Sequence, residues 1–90
     1  MPIEVTLVSA DRRVWSGEAS RVIARTVEGD IGILGGHAPL LAVLAAGEIR
    51  ITPTGGEDVV ANLDGGFLSV EHDRVTVVSD TASLGSGSAR

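Results

Sequence analysis

The clearest pattern in the chain lies at residues 64–78, Asp64-Gly65-Gly66-Phe67-Leu68-Ser69-Val70-Glu71-His72-Asp73-Arg74-Val75-Thr76-Val77-Val78. Leu68 and Val70 alternate with Phe67 and Ser69, which is the two-residue period of a β-strand that buries one face. A polar segment, residues 71–74, separates this run from a second apolar run. Two extended runs joined by a short polar segment predict a β-hairpin.

Similar patterns occur before this hairpin. Ile49 and Ile51 alternate with polar residues, a Pro-Thr-Gly-Gly turn follows at residues 53–56, and alternation resumes at residues 59–63. Residues 2–9 and 19–26 show the same period, whereas residues 13–17 predict a shorter extended piece broken by a glycine. Strands therefore recur about every 8 to 12 residues, which is typical of a β-sandwich or barrel.

The middle of the chain is less regular. Glycines stand at positions 29, 32, 35 and 36 among apolar residues, and this density predicts a folded loop with repeated tight bends. The glycines do not form a dinucleotide-binding fingerprint, so we expect no nucleotide site there. In the following run, Leu40, Leu41 and Leu44 fit a short helix starting at Pro39, but a buried strand fits equally well.

Charge and composition exclude several classes of function. The chain has 90 residues, a formal net charge of −5, seven arginines, no lysine and no cysteine. An acidic chain does not attract a phosphate backbone, so we expect no nucleic-acid partner. The absent lysine excludes a P-loop or a Schiff base, and the absent cysteine excludes a thiol nucleophile and thiolate zinc sites.

Length and segment composition predict one domain. The longest apolar run, residues 38–46, is too short to span a bilayer, and the N-terminus shows no secretory signal. We therefore expect a cytosolic protein. Residues 84–90 have the composition of a Gly/Ser linker. The predicted organisation is a β-sandwich domain at residues 1–82 and a flexible tail at residues 83–90.

The sequence predicts no catalytic, cofactor-binding or metal-binding residues. His37 and His72 are not spaced as a zinc pair, and His72 is expected in a solvated turn. Glu28 and Asp30 flank Gly29 and have three interpretations: a general acid/base pair, a solvated acidic loop, or an acidic surface for a basic partner. The loop interpretation is the simplest from charge alone.

Two stretches carry a resemblance to a known family. Residues 28–41 are Glu28-Gly29-Asp30-Ile31-Gly32-Ile33-Leu34-Gly35-Gly36-His37-Ala38-Pro39-Leu40-Leu41, and residues 47–51 are Gly47-Glu48-Ile49-Arg50-Ile51. Supporting matches occur at Trp15-Ser16-Gly17 and at residues 63–68. Together they resemble the epsilon subunit of bacterial F-type ATP synthase, called delta in mitochondria, from about Ile3 to Ala82.

The resemblance implies a fold and a role. It implies a β-sandwich of two antiparallel sheets, with residues 40–44 extended, and a non-catalytic rotor subunit between the gamma subunit and the c-ring. By position, Glu28, Gly29 and Asp30 correspond to the c-ring end. By position, too, Ser9, His37 and Ala42 correspond to the gamma side.

The resemblance also implies a place in the cell and one difference from the family. We expect the chain at the cytoplasmic face of the bacterial plasma membrane, held there through the complex. The family's C-terminal helical hairpin is absent from this sequence, so its regulatory function and ATP binding are not carried over. The alternative hypothesis is a free-standing β-sandwich binding module, which would need an exposed aromatic platform built from Trp15 and Phe67.

Overall fold

Nine β-strands make up residues 2–85, the part of the chain that the computed structural model describes. In chain order they are β1 (Ile3–Ser9), β2 (Arg12–Thr26), β3 (Gly29–Leu34), β4 (Leu40–Leu44), β5 (Gly47–Pro53), β6 (Val59–Leu63), β7 (Gly66–Glu71), β8 (Arg74–Val78) and β9 (Ala82–Gly85). The predicted all-β class is confirmed. Over these residues there is no helix of the length and apolarity needed to cross a membrane.

The strands form two sheets that share β2. The first sheet contains the N-terminal half of β2, then β1, β8, β7 and β4. The second contains β3, the C-terminal half of β2, β5, β6 and β9. All pairings are antiparallel except that of β1 with β8. A single pair, Thr26 with Leu44, joins β2 to β4 at the outer edge of the first sheet.

β2 is continuous where the sequence predicted a break. Gly17 lies inside it and pairs with Val5. A Cβ at position 17 would lie 3.0 Å from the Trp15 ring, so this glycine makes room for the tryptophan. Farther along, the register with β5 shifts between Ala19 and Arg21, which marks a β-bulge.

The glycine-rich segment is also more regular than predicted. Residues 29–34 form β3 and pair with β2, and Gly32 lies opposite Ile23. Turns occur only at the two ends of β3, so the expectation of repeated tight bends was wrong. The segment is extended, as the alternation of Ile31 and Ile33 favours, because β2 offers hydrogen-bonding partners along its whole length. β4 is extended, which resolves the ambiguity between helix and strand.

The core lies between the two sheets and consists of alternate residues of the strands. Val22 and Ala24 are buried and Ile23 is exposed, as the alternation predicted. Trp15 packs against the core and is half-buried. The buried cluster comprises Ile3, Val5, Leu7, Ala19, Val22, Ala24, Ile33, Leu44, Ile49, Ile51, Ala61, Leu63, Leu68, Val70, Val75 and Val77.

The connection between β8 and β9 is fixed by a carboxylate. Asp64 Oδ1 accepts hydrogen bonds from the Ser79 hydroxyl at 3.0 Å and from the Thr81 amide at 3.3 Å. Ser79 is almost fully buried. These hydrogen bonds, that of Ser79 first, lower the pKa of Asp64 below its ordinary value of 3.8. The turn before β7 is thereby tied to the segment that follows β8.

The chain remains in the sheet beyond residue 82. β9 pairs with β6, with Ala82 opposite Leu63 and Ser83 opposite Asn62. Residues 83–85, which the sequence assigned to a flexible tail, therefore belong to a strand, because β6 offers an unpaired edge for them. The rest of the predicted tail, residues 86–90, lies outside the described residues.

Candidate partner-binding surfaces

The three residues predicted to face the c-ring lie at the tip of the β2–β3 hairpin. The Thr26 hydroxyl donates to Gly29 O at 2.6 Å, and the Glu28 amide donates to Thr26 Oγ1 at 3.1 Å. Gly29 has a φ of 125°, a backbone conformation that residues other than glycine rarely adopt. The turn is thus held in one shape by a threonine that sequence reasoning did not single out.

The two acids at this tip are not equivalent. Asp30 lies 3.5 Å from the guanidinium of Arg25, and both side chains are well exposed. An exposed pair of this kind contributes little stability. Glu28 is exposed and makes no ion pair within residues 2–85. Glu28 is therefore the carboxylate that is free to receive a cation from outside.

The hairpin tip lies against the end of β4. The Val27 amide donates to Val43 O, and the Ala45 amide donates to Arg25 O, both at 3.0 Å. A shallow hollow of about 220 Å³ opens between the hairpin and β4. Val27 is 64% exposed and Leu41 is 71% exposed beside it. The acidic tip thus borders an exposed apolar surface.

Ser9, predicted on the gamma side, has a structural contact within its own turn. Its hydroxyl lies 3.2 Å from Asp11 Oδ1 and 3.3 Å from Arg12 O, and it can donate to either. The residue is 7% exposed. The side chain closes the β1–β2 turn and presents little surface to a partner.

His37 and Ala42 were predicted on the same side. The Gly36 amide donates a hydrogen bond to Asp73 Oδ1 at 2.7 Å, and this bond ties the turn before His37 to the β7–β8 turn. His37 Nδ1 lies 2.7 Å from Ala38 O. Ala42 pairs with the buried Leu68, so its side chain faces inward and is half-buried. His37 itself is half-buried.

The structure does not gather these three residues into one patch. β1 and β8 run parallel, whereas β8, β7 and β4 alternate in direction. Ser9 is the last residue of β1 and so lies at the same end of the sheet as the end of β4 and the hairpin tip. His37 precedes β4 and lies at the opposite end.

A different set of residues forms a continuous surface on this sheet. Val43 pairs with Phe67, Phe67 with Val78, and Val78 with Val8. Paired residues of neighbouring strands project from the same face, and these four lie on the outer one. Val43, Phe67 and Val78 are 48%, 54% and 45% exposed, and Val8 is half-buried. We call these four residues the apolar row.

Other groups singled out in the sequence do not converge on a chemical site. His72 lies in the β7–β8 turn with a φ of 53° and is exposed. Among residues 2–85 no three His, Asp or Glu side chains are placed to hold a metal ion. Trp15 packs on the core whereas Phe67 is exposed on the first sheet, so they do not form a joint aromatic platform.

Comparison with known proteins gives the family. Residues 2–85 match the family described as ATP synthase, Delta/Epsilon chain, beta-sandwich domain. The chain belongs to this family. The match includes all nine strands. The family resemblance that the sequence suggested is therefore confirmed.

Individual relatives of the chain belong to the same family. The ATP synthase epsilon chain of Frankia casuarinae is 50% identical over 84 residues, which are 93% of this chain and 99% of that protein. That of Micrococcus luteus is 52% identical over 97% of this chain and 96% of its own length. The epsilon chain of Streptomyces avermitilis is 49% identical, and the matched part covers 66% of it.

Solved structures share the fold. The chain superposes with a TM-score of 0.87 and 27% identity on part of the Euglena gracilis mitochondrial ATP synthase, in a structure of OSCP, F1 and c-ring. The match covers 92% of this chain and 53% of that one, so the chain spans about half the length of this structural relative. A Tetrahymena thermophila structure of the central stalk and c-ring, at 22% identity and a TM-score of 0.77, shows the same fold.

Proposed function

We propose that this chain is a non-catalytic subunit of the central stalk of a bacterial F-type ATP synthase. It docks the gamma subunit to the c-ring and so helps to couple proton translocation to ATP synthesis. Its place is the cytoplasmic face of the plasma membrane, where the complex holds it. The observation that carries the proposal is the ordered acidic tip at Glu28, in a chain whose family match extends over residues 2–85.

The tip has the chemistry that a polar loop with arginines would recognise. A carboxylate that accepts from a guanidinium forms a short, charge-assisted hydrogen bond. Glu28 offers such a carboxylate on a turn fixed by Thr26, so little conformational entropy is lost on binding. Because rim charges add little affinity, the acids chiefly steer encounter and fix orientation.

A non-catalytic role agrees with the shape of the surface. The lowered pKa of Asp64 is explained by its structural hydrogen bonds with Ser79 and Thr81. Active sites depend on perturbed groups facing a closed cavity. The hollows described here are shallow and open to solvent.

On the gamma side, the positional assignment to Ser9, His37 and Ala42 stays a proposal. Ser9 and Ala42 direct their side chains inward, so contacts at these positions depend on their outward-facing neighbours.

The test exchanges charge at the tip in the assembled ATP synthase. Glu28→Arg with Asp30→Arg removes the acids and places two cations beside Arg25. The matched control is Glu57→Arg with Asp58→Arg, which changes the net charge equally and also breaks an exposed ion pair, that of Asp58 with Arg50 at 3.4 Å. The control turn lies between β5 and β6, at the other end of the second sheet.

We expect the tip variant to lose c-ring during purification at raised salt, and to pump protons less per ATP hydrolysed. The control variant should keep both properties. Equal retention of c-ring by the two variants would count against the proposal, as would normal coupling in complexes that lack this chain.

A further inference from the structure

The β2–β3 hairpin extends beyond its neighbour in the second sheet. The ladder between β2 and β5 ends at Ile23 opposite Arg50. The ladder between β2 and β3 continues for three more pairs, to Thr26 opposite Gly29. Past Ile23 a hollow of about 390 Å³ opens between β2 and β5. In the described structure residues 24–31 are therefore not paired with β5, and we call them the overhang.

The first sheet supplies the support that β5 does not give. The Val27 amide donates to Val43 O, and the Ala45 amide donates to Arg25 O, both at 3.0 Å. We call these two hydrogen bonds the clasp. Val43 belongs to β4, and Ala45 follows its last residue, Leu44, which is buried in the core. β4 is paired with β7 along its whole length, so the clasp fastens the overhang to a well-anchored strand.

The clasp connects the hairpin tip to the first sheet directly. Along β2 itself, pairing with β1 of the first sheet begins at Ala19. This residue is about 23 Å of extended chain away from Thr26, at roughly 3.3 Å per residue. Through space, a hollow of about 220 Å³ lies between the overhang and β4, so side chains fill this gap only in part. The two hydrogen bonds of the clasp therefore carry much of the connection between the tip and the first sheet.

We propose that Val27 is a positioning residue for the contact with the c-ring, because its amide holds the overhang, and with it the Glu28 carboxylate, against the first sheet. This inference rests on the proposed function and adds how the tip is kept in place. The hydrogen bonds of the Thr26 hydroxyl set the shape of the turn, whereas the clasp sets where that turn lies. A tip that is already in place loses less conformational entropy on binding. A force on Glu28 then reaches both sheets instead of bending the hairpin.

Val27→Pro removes one donor of the clasp and leaves the turn intact. Proline has no amide hydrogen, and its fixed φ suits the first central position of a turn. The φ of Val27 is compatible, since the non-glycine residues with a positive φ in the described chain are His72 and Asp73. Thr26 is extended in β2, as the residue before a proline prefers. Neither hydrogen bond of the Thr26 hydroxyl uses the Val27 amide.

The measurement is the rate at which the assembled ATP synthase loses its c-ring at raised salt. For Val27→Pro we expect this rate to rise about twofold to tenfold, the range for the loss of one hydrogen bond, together with less proton pumping per ATP hydrolysed. Ala45→Pro removes the other donor of the clasp and should have the same effect. It also serves as the test if Val27→Pro does not assemble.

Two comparisons distinguish the amide from other effects. Val27→Ala keeps the amide and shortens a side chain that is 64% exposed, so it should restore the wild-type rate. Gly56→Ala strains the β5–β6 turn, where the glycine has a φ of 102°, and lowers stability without a change in the overhang. It should also lose c-ring at the wild-type rate.

The outcomes separate the inference from the proposed function. If the wild-type complex held the c-ring no more firmly than Glu28→Arg with Asp30→Arg, the proposed function would be wrong. If that charge variant lost the c-ring and both proline variants kept it as the wild type does, the role of the clasp would be wrong and the proposed function would stand. Equal loss in Val27→Ala would assign the contact to the side chain, and equal loss in Gly56→Ala would assign it to stability. Either result would overturn the role of the clasp.

Discussion

Among the glycines of residues 2–85 whose surroundings are described, Gly66 has the least room for a Cβ, and Gly66→Ala tests the packing of the first sheet. A Cβ at this position would overlap Val78 O and would lie 2.9 Å from the Cα of Ser79. Both contacts are backbone atoms, so no side-chain rotation relieves them. Gly66 also has a φ of 124°, which is strained for alanine.

The expected loss of stability combines these two effects. Backbone strain at such a φ costs about 1–3 kcal/mol, and forcing extra volume into a packed site costs about 1–3 kcal/mol more. The sum of about 2–6 kcal/mol is a large part of the roughly 4–13 kcal/mol expected for a domain of this size. At about 4–8 °C per kcal/mol, the melting temperature should fall by at least about 8 °C.

The β5–β6 turn supplies two controls for this prediction. Gly56 has a φ of 102° but open space around its Cβ position, so Gly56→Ala should show the strain alone. Gly55 has neither a positive φ nor a close neighbour, so Gly55→Ala should leave stability unchanged or slightly higher. Urea and thermal unfolding, followed by Trp15 fluorescence and circular dichroism, should rank the losses as Gly66, then Gly56, then Gly55. A Gly66→Ala variant as stable as Gly55→Ala would refute the reasoning.

Two other predictions follow from single contacts. Because the pKa of Asp64 is lower in the folded state than 3.8, its stabilising effect is complete above that pH and is lost as the pH falls through the folded-state pKa. The difference in urea midpoint between wild type and Ser79→Ala should therefore be larger at pH 5 than well below pH 3.8, and an equal difference at both pH values would contradict this. Gly17→Ala should push the Trp15 ring off the core and shift its emission to the red, with a loss of about 1–3 kcal/mol; an unchanged spectrum and midpoint would show that the ring does not lie over Gly17.

The sequence predicts those parts of the fold that depend on local alternation. Both hairpins, β5–β6 and β7–β8, and the buried face of β2 at Val22 follow from the period of two. β9 does not, because a short stretch at residues 82–85 becomes a strand only through the free edge of β6. The continuity of β2 through Gly17 likewise depends on Trp15, whose position is set by packing.

The candidate surfaces show the same division. Glycine and acid residues mark the hairpin tip in the sequence, but the hydrogen bonds of Thr26 that fix it are visible only in three dimensions. The apolar row leaves a faint signal, since each member stands next to a buried apolar residue, as Phe67 does beside Leu68 and Val78 beside Val77. Such pairs break the alternation, but only the register shows that the outward members of four strands lie side by side.

The bulge in β2 has a geometric consequence for the whole domain. A straight strand of 15 residues would extend about 50 Å, yet the domain measures 29 Å in its longest dimension. β2 must therefore turn a corner, and the extra residue near Ser20 supplies it. Deleting Ser20 would leave the inward and outward order of Ala19, Arg21 and Val22 intact while removing the corner. Packing of the first sheet on the second thus depends on the number of residues in β2, which the pattern of apolar residues does not specify.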